Sequence, residues 1–236
     1  MDVRGLGTIL GVWAHPDDEA YLSAGVMAMA ARAGSRVVCV TATRGELGSL
    51  DLDRWPLETL ADIRTVEMAA SLDVLGVREH HWLDYPDGAC AHIPENDAVD
   101  RLARLMNDVR PDTVLTFGPD GMTGHLDHQT VCDWTTKAFD QAAAPGARLY
   151  YATKTAEFDD RFATLSTHRQ AFGEGPPRTP ERDTDLAFRL SEEILDAKVD
   201  ALRAQVSQVT LLRDAMGAAV YREWIADEWF VLAATA

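Results

Sequence analysis

The chain has 236 residues, of which 47% are hydrophobic, so it can bury the core of one sizeable α/β domain or two small ones. Its formal net charge of −16 repels phosphate backbones and anionic lipid, which argues against nucleic acid and membrane surfaces as partners. The three cysteines, Cys39, Cys90 and Cys132, form no CxxC pair, so neither a disulfide framework nor a thiolate metal site is predicted.

Short apolar runs alternate with helical patterns in the N-terminal half. The runs are β-branched and apolar with no polar alternation, which is typical of strands buried on both faces of a parallel sheet. In chain order we predict strand 8–13, helix 18–33, strand 36–41, helix 55–75, a weaker strand 80–83 and helix 95–109.

The same alternation continues in the C-terminal half. We predict strand 111–117, helix 126–141, strand 147–152, a helix from Ser191 to about 209, a further helical piece and a last strand 229–232. Residues 158–185 interrupt this pattern, because they are polar and carry several glycines and prolines. We interpret them as a surface loop or lid rather than as a linker between domains.

Strands that alternate with helices of this length predict one α/β domain over residues 1–236, with a Rossmann-like, mostly parallel sheet in three layers. No stretch approaches the roughly 18 apolar residues that span a bilayer. The N-terminal apolar run meets charges too soon for a secretion signal. We therefore expect a cytoplasmic protein, and the sequence leaves open whether it forms a homo-oligomer.

Two polar clusters follow predicted strands. Residues 14–19 (AHPDDE) come directly after the first strand, and residues 124–128 (GHLDH) come a few positions after the fourth. In a doubly wound sheet of order 3-2-1-4-5, the first and fourth strands are neighbours, and ligands bind beyond their carboxyl ends. The two clusters should therefore meet, although they are about 110 residues apart in sequence.

The residue types in these clusters suit a metal ion. His15 and Asp18 are three positions apart, as are His125 and His128, so each pair can aim at one point. Two imidazoles and a carboxylate form a three-ligand set for zinc with a position left open for water. Further acids, Asp17, Glu19 and Asp127, remain for proton transfer, and such a combination favours hydrolysis. The alternative is a helix start whose acids only stabilise the helix dipole.

Both clusters resemble the motifs of the LmbE-like/PIG-L family of zinc de-N-acetylases. Residues 41–48, 64–67, 83–88 and 198–208 also fit the family, so the resemblance covers most of the chain. It implies the fold of these deacetylases and the hydrolysis of an N-acetyl group on an amino sugar, most simply a small-molecule N-acetylglucosamine conjugate. Fe(II) is an alternative to Zn(II), since a His/Asp/His set accepts either ion.

The resemblance also implies roles for individual residues. The metal ligands would be His15, Asp18 and His128, and Asp17 would be the general base. His125 would stabilise the oxyanion, with Asp127 orienting it. Substrate-binding roles are implied for Arg64, Asp87 and Glu46.

One position departs from the family pattern: Thr123 stands where some members have a tyrosine that contacts the intermediate. Oxyanion stabilisation would then depend more on His125. Two other functions stay open at this point. One is a zinc amidase for a non-sugar substrate, such as a thiol conjugate or an antibiotic intermediate. The other is a catalytically silent sugar-binding protein on the same fold.

Overall fold

The computed structural model describes residues 3–172 and 179–236. Within these residues, seven strands form one sheet in the order β3-β2-β1-β4-β5-β7-β6. The strands are β1 (Ile9–Trp13), β2 (Val37–Thr43), β3 (Glu79–Tyr85), β4 (Thr113–Phe117), β5 (Arg148–Thr153), β6 (Leu186–Arg189) and β7 (Asp227–Thr235).

Helices cover both faces of this sheet. They are α1 (Asp18–Leu22), α2 (Ala24–Arg32), α3 (Leu57–Leu75), α4 (Glu95–Val109), α5 (Gly121–Gly124), α6 (Leu126–Ala142), α7 (Ala156–Phe162), α8 (Ser166–Phe172), α9 (Glu192–Ala204), α10 (Val206–Met216) and α11 (Ala218–Trp224). Every residue of β1, β2 and β4 is buried, as expected for central parallel strands covered on both faces. The predicted α/β class and the predicted order of the first five strands are confirmed.

At the far edge of the mostly parallel sheet, β7 runs antiparallel to β5 and pairs with β6, a strand that we did not predict. Strand β6 has only four residues, with Leu186 and Phe188 buried and Ala187 and Arg189 exposed. A segment so short gives little periodic signal in the sequence. Arg189 at the end of β6 pairs with Asp227 at the start of β7, because the helices α9, α10 and α11 between them return the chain to the same end of the sheet.

Three predictions of local structure also need correction. The predicted helix from Ser191 to about 209 is α9 followed by the start of α10, with Gln205 between them. The predicted helix 18–33 is two helices, because Ser23 leaves helical geometry at φ −146° and its hydroxyl donates to the Glu19 carbonyl. The region 158–185 contains helices α7 and α8 instead of a loop throughout. Phe158 and Phe162, four positions apart, bury their rings there. Residues 173–178 lie outside the described part, and a lid function for this region stays a prediction.

In the described part of the chain, no helix has the length and apolar character needed to cross a membrane.

Candidate metal centre

The two polar clusters meet at the carboxyl ends of neighbouring parallel strands. Strand β1 pairs with β4, and His15 follows β1 while His128 lies in the first turn of α6, shortly after β4. The Nδ1 atom of His15 is 3.1 Å from the Nε2 atom of His128. The predicted meeting of the two clusters is therefore what the structure shows.

The hydrogen bonds of each imidazole determine which ring nitrogen carries a proton. His15 Nε2 lies 3.1 Å from Asp87 Oδ1 and 3.3 Å from Asp127 Oδ2. His128 Nδ1 lies 2.9 Å from the carbonyl oxygen of Gly121. Since carboxylates and carbonyls only accept, these two nitrogens must donate. In the neutral rings, the lone pairs are therefore on His15 Nδ1 and His128 Nε2, the two atoms that face each other.

The carboxylate of Asp18 completes this set of donors. One of its oxygens is 3.6 Å from His15 Nδ1 and the other is 3.4 Å from His128 Nε2. Ligand atoms of a tetrahedral zinc ion stand about 3.3 Å apart, given metal–ligand bonds near 2.0–2.1 Å. Three electron-rich atoms at such separations repel one another unless a cation lies between them. This is a His/Asp site capable of binding a metal ion.

Neighbouring charged groups shift the pKa values of Asp18 and His15 in directions that favour positive charge at the site. Burial would raise the pKa of Asp18, but the His128 and His15 imidazoles lower it to about 2. Burial would likewise lower the pKa of His15, yet hydrogen bonds with Asp127, Asp18 and Asp87 raise it well above its ordinary value. The carboxylates therefore favour positive charge at this point, and metal binding would displace the proton from His15.

Asp17 is held beside the donor set in an unusual conformation. Its φ of 109° lies in the left-handed region, which is strained for a residue with a Cβ. Its amide donates to Glu19 Oε2 at 3.0 Å, and Arg64 Nη2 is 3.5 Å from its carboxylate. Burial, assisted by the charge of Asp18, raises the pKa of Asp17 to about 7, although Arg64 opposes the shift. A carboxylate with such a pKa can accept a proton near neutral pH.

His125 presents a donor to the same cavity. It is the N-cap of α6, and its Nδ1 accepts a hydrogen bond from the Asp127 amide at 3.2 Å. The proton of the neutral ring is therefore on Nε2. The His125 ring packs 4.9 Å from the rings of both His15 and His128, measured between centroids.

Asp127 and Asp87 contact different partners from those that the sequence predicted. The carboxylate of Asp127 lies against His15, not His125, and accepts hydrogen bonds from the Gly88 and Cys90 amides at 2.8 and 3.1 Å. Asp87 also lies against His15, and its second oxygen accepts from the Leu47 amide at 2.9 Å. Both acids therefore orient a proposed metal ligand. Sequence reasoning did not find the contact of Asp87 with His15, because the turn at 84–88 is remote in sequence from both clusters.

The other two predicted substrate-binding residues are used within the protein. Arg64 is only 3% exposed, and its guanidinium donates to the carbonyls of Gly45 and Pro16. Its Nε atom has no partner and is buried. Glu46 accepts from the Asp87 amide at 2.9 Å. Arg64 lines the cavity, whereas Glu46 is not among the described lining residues.

Sequence analysis missed a buried network beneath Asp17. The fully buried Glu19 accepts from Gln205 Nε2 at 2.6 Å, and burial raises its pKa to about 8. Gln205 Oε1 is buried without a partner. Rotating this amide by half a turn would pair its oxygen with the proton of a neutral Glu19. The network connects the Asp17 backbone to the junction between α9 and α10 at Gln205, and the final acid of AHPDDE is the signal that could have indicated it.

The three potential metal ligands and Asp17 open into one cavity of about 490 Å³. His15, Asp17, Asp18, His125 and His128 lie along its wall, as does Thr123. A doubly wound α/β fold, a His/Asp site capable of binding a metal ion and a buried carboxylate beside it are together typical of one class of protein: metal-dependent hydrolases whose site lies at the switch point of the sheet.

Comparison with known proteins gives the family. Residues 10–139 match the model of the PIG-L family, GlcNAc-PI de-N-acetylase. The 1D-myo-inositol 2-acetamido-2-deoxy-alpha-D-glucopyranoside deacetylase of Kineococcus radiotolerans is 34% identical, over 88% of this chain and 70% of the relative. The chain belongs to the PIG-L family. This confirms the family and the N-deacetylase class that the two motifs predicted.

Two solved structures share the fold at lower identity. The N,N'-diacetylchitobiose deacetylase from Pyrococcus horikoshii is 20% identical with a TM-score of 0.67, over 98% of this chain and 85% of the other. The 4-carboxy-2-hydroxymuconate hydratase from Pseudomonas putida KT2440 is 17% identical with a TM-score of 0.68, over 98% and 97%. Because a deacetylase and a hydratase share this architecture, the fold alone does not determine the reaction.

Proposed function

We propose that the protein is a zinc-dependent hydrolase that removes the acetyl group from the nitrogen of an N-acetylglucosamine conjugate. The observation that carries this proposal is the convergence of three potential metal-ligand atoms, on His15, Asp18 and His128, beside the buried carboxylate of Asp17. The named activity of the Kineococcus relative supports an acetylated amino sugar as the substrate.

His15, Asp18 and His128 would hold the ion. Two imidazole nitrogens and one carboxylate are ligands that zinc prefers, and they leave a coordination position open. When bound, zinc supplies Lewis acidity, which makes water easier to deprotonate near neutral pH and polarises a carbonyl. Asp87 and Asp127 would fix the orientation of His15 through its Nε2 proton.

Asp17 would accept the proton from the attacking water, since it lies beside the donor set with a pKa near 7. His125 would donate a hydrogen bond from its Nε2–H to the developing negative charge on the amide oxygen, because its Nδ1 is already an acceptor for the Asp127 amide. The proton taken up by Asp17 would pass to the amine nitrogen as the C–N bond breaks, so that acetate and the free amine leave. Arg64 would act by holding Asp17 and the Gly45 turn in place.

Acetate release from N-acetylglucosamine conjugates tests the proposal directly. We expect purified protein to release acetate, to lose this activity on metal stripping and to recover it with zinc. Fe(II) repletion, carried out without oxygen, compares the two candidate ions. Metal-loaded protein that hydrolyses only N-acyl amino acids would replace the sugar with a non-sugar amide. Metal-loaded protein that hydrolyses no amide would refute the enzymatic proposal.

A further inference from the structure

The cavity that holds the metal site extends to a wall that the proposed chemistry does not use. We define the apolar wall by six lining residues: Tyr21, Phe158, Leu212, Trp224, Ile225 and Trp229. They come from α1, α7, α10, α11 and β7, so the wall exists only in the folded chain. It is part of the same cavity as His15, Asp17 and His128.

The aromatic residues of this wall form one continuous cluster. Phe158 packs 5.3 Å from Trp229 and 6.1 Å from Trp224, and Tyr21 also packs 6.1 Å from Trp224, measured between ring centroids. The indole nitrogen of Trp224 donates to His168 Nδ1 at 3.1 Å. This indole therefore has its polar atom satisfied inside the protein.

Charged residues next to the wall are paired within the protein. Glu228 accepts from Lys198 at 2.8 Å and from the amides of Gly25 and Val26. Lys154 donates to Asp159 at 2.6 Å. Asp227 likewise accepts from Arg189 at 2.7 Å. Because these charged groups already have partners within the protein, this side of the cavity favours an apolar ligand group over a charged one, unlike the side with His15, Asp18 and His128.

The cavity entrance also carries apolar side chains. Leu47 and Leu50 line the cavity, and 62% and 53% of their surfaces are exposed. Apolar side chains exposed beside a cavity are one feature of ligand-binding grooves. We propose that the substrate carries an apolar group, either as the aglycone of the sugar or in the N-acyl chain, and that this group packs against the apolar wall.

The inference rests on the proposed function and deepens it by naming the substrate class. A polyol such as inositol would leave its hydroxyls without partners at this wall, which weakens binding. An alkyl or aryl group would instead transfer apolar surface out of water. Affinity should therefore increase with the length of an alkyl substituent until the wall is covered.

Binding to metal-loaded protein tests the wall without any turnover. We expect hexyl β-D-glucoside to bind at least about tenfold more tightly than methyl β-D-glucoside, because each buried methylene contributes severalfold to affinity. Leu212→Ser should reduce this preference by about threefold or more, since it places a hydroxyl in the wall. Leu211→Ser is the matched control on the same helix, because Leu211 is 52% exposed and is not among the lining residues. Equal affinity for the two glucosides, or a preference that Leu212→Ser leaves unchanged, would overturn the inference.

Turnover identifies which end of the substrate is apolar. The hexyl glycoside of N-acetylglucosamine tests the aglycone, and the methyl glycoside of N-hexanoylglucosamine tests the acyl chain. Each is compared with the methyl glycoside of N-acetylglucosamine, and we expect one of them to raise kcat/KM at least about tenfold. Hydrolysis of all three with equal kcat/KM would refute the apolar substrate class alone. Hydrolysis of none by metal-loaded protein would refute the proposed function instead.

Discussion

At the scale of single residues, the positions of protons on His15, His128 and Asp17 determine which of these side chains can bind a cation and which can accept a proton. His15 Nε2 donates to Asp127, and His128 Nδ1 donates to the carbonyl oxygen of Gly121. In the neutral rings, the lone pairs are therefore on His15 Nδ1 and His128 Nε2, which face each other. Asp17 is different, because burial keeps its pKa near 7 while Asp18 is lowered to about 2. Neighbouring carboxylates with separated pKa values suit one to bind a cation and the other to accept a proton.

Asp17→Asn should retain the metal and lose turnover by about 10²–10⁴-fold, because an amide cannot accept the proton. Metal content by elemental analysis and acetate release under saturating substrate measure both quantities. Asp53→Asn is the control, since Asp53 is an exposed acid in the loop before α3. Undiminished turnover in Asp17→Asn would exclude Asp17 as the base, and loss of the metal would make it a ligand instead.

Asp127→Asn should lower metal affinity by about 10–100-fold, because its carboxylate orients His15. Excess zinc should then restore most of the turnover. Titration with a competing chelator measures the affinity, and kcat at saturating zinc measures the remaining defect. Unchanged affinity with a low kcat would instead favour the role that the sequence predicted, in which Asp127 acts through His125.

At the scale of elements, the positions of strands set the positions of site residues. β1 and β4 are neighbours, so the loops after them face each other, and β3 brings the turn with Asp87 to His15. β2 and β3 also meet through side chains, since Thr41 Oγ1 lies 3.0 Å from His80 Nε2. Burial, together with the charges of His81 and Arg44, lowers the pKa of His80 to about 4.

The pairing of β2 with β3 should make stability depend on pH through His80. Its folded-state pKa is below the unfolded value near 6.5, so the unfolded chain binds more protons between these values. Stability is therefore full above about pH 6.5 and falls towards pH 4, by on the order of 1–3 kcal/mol from this residue. Urea unfolding of metal-free protein at pH 7.5 and 5 measures the loss.

His80→Gln should reduce that acid-induced loss, whereas His92→Gln, at an exposed position, should leave it unchanged. An identical loss in the wild type and in His80→Gln would show that His80 does not titrate in this way.

At the scale of the whole molecule, the centre joins two distant parts of the chain. His15 and His128 are 113 positions apart, so an unfolded chain does not offer the site. Metal binding to the folded state therefore adds directly to the free energy of unfolding. The acidic surface, with a net charge of −16, adds a general attraction for cations.

Zinc should raise the free energy of unfolding by about 1.4 kcal/mol for each tenfold increase in free zinc above the dissociation constant. Thermal or urea unfolding across a series of buffered zinc concentrations gives this slope. His128→Ala should remove the dependence, because it deletes one of the three donors. A wild-type stability that does not respond to zinc, or a response that survives His128→Ala, would refute the ligand assignment.

The alternation of strands and helices could be predicted from the sequence alone. With the order 3-2-1-4-5 taken for a doubly wound sheet, it also predicted that His15 and His128 meet. These features follow from local apolar periodicity and from the rule that parallel strands place their carboxyl ends at one edge. Strand β6 was not predicted, because four residues show little periodicity. The helices α7 and α8 were not predicted either, because this region is mostly polar and only Phe158 and Phe162 mark the buried face of α7.

Three features depend on contacts that form only in the folded chain: the pairing of each acid with an imidazole, the pKa of Asp17 and the composition of the apolar wall. Asp87 reaches His15 from the turn after β3 and Asp127 from the first turn of α6. Tyr21, Leu212 and Trp229 come together from three different elements. The physical reason is that burial and pairing depend on side chains far apart in sequence. No local pattern therefore specifies the electrostatics of Asp17 or the apolar half of the cavity.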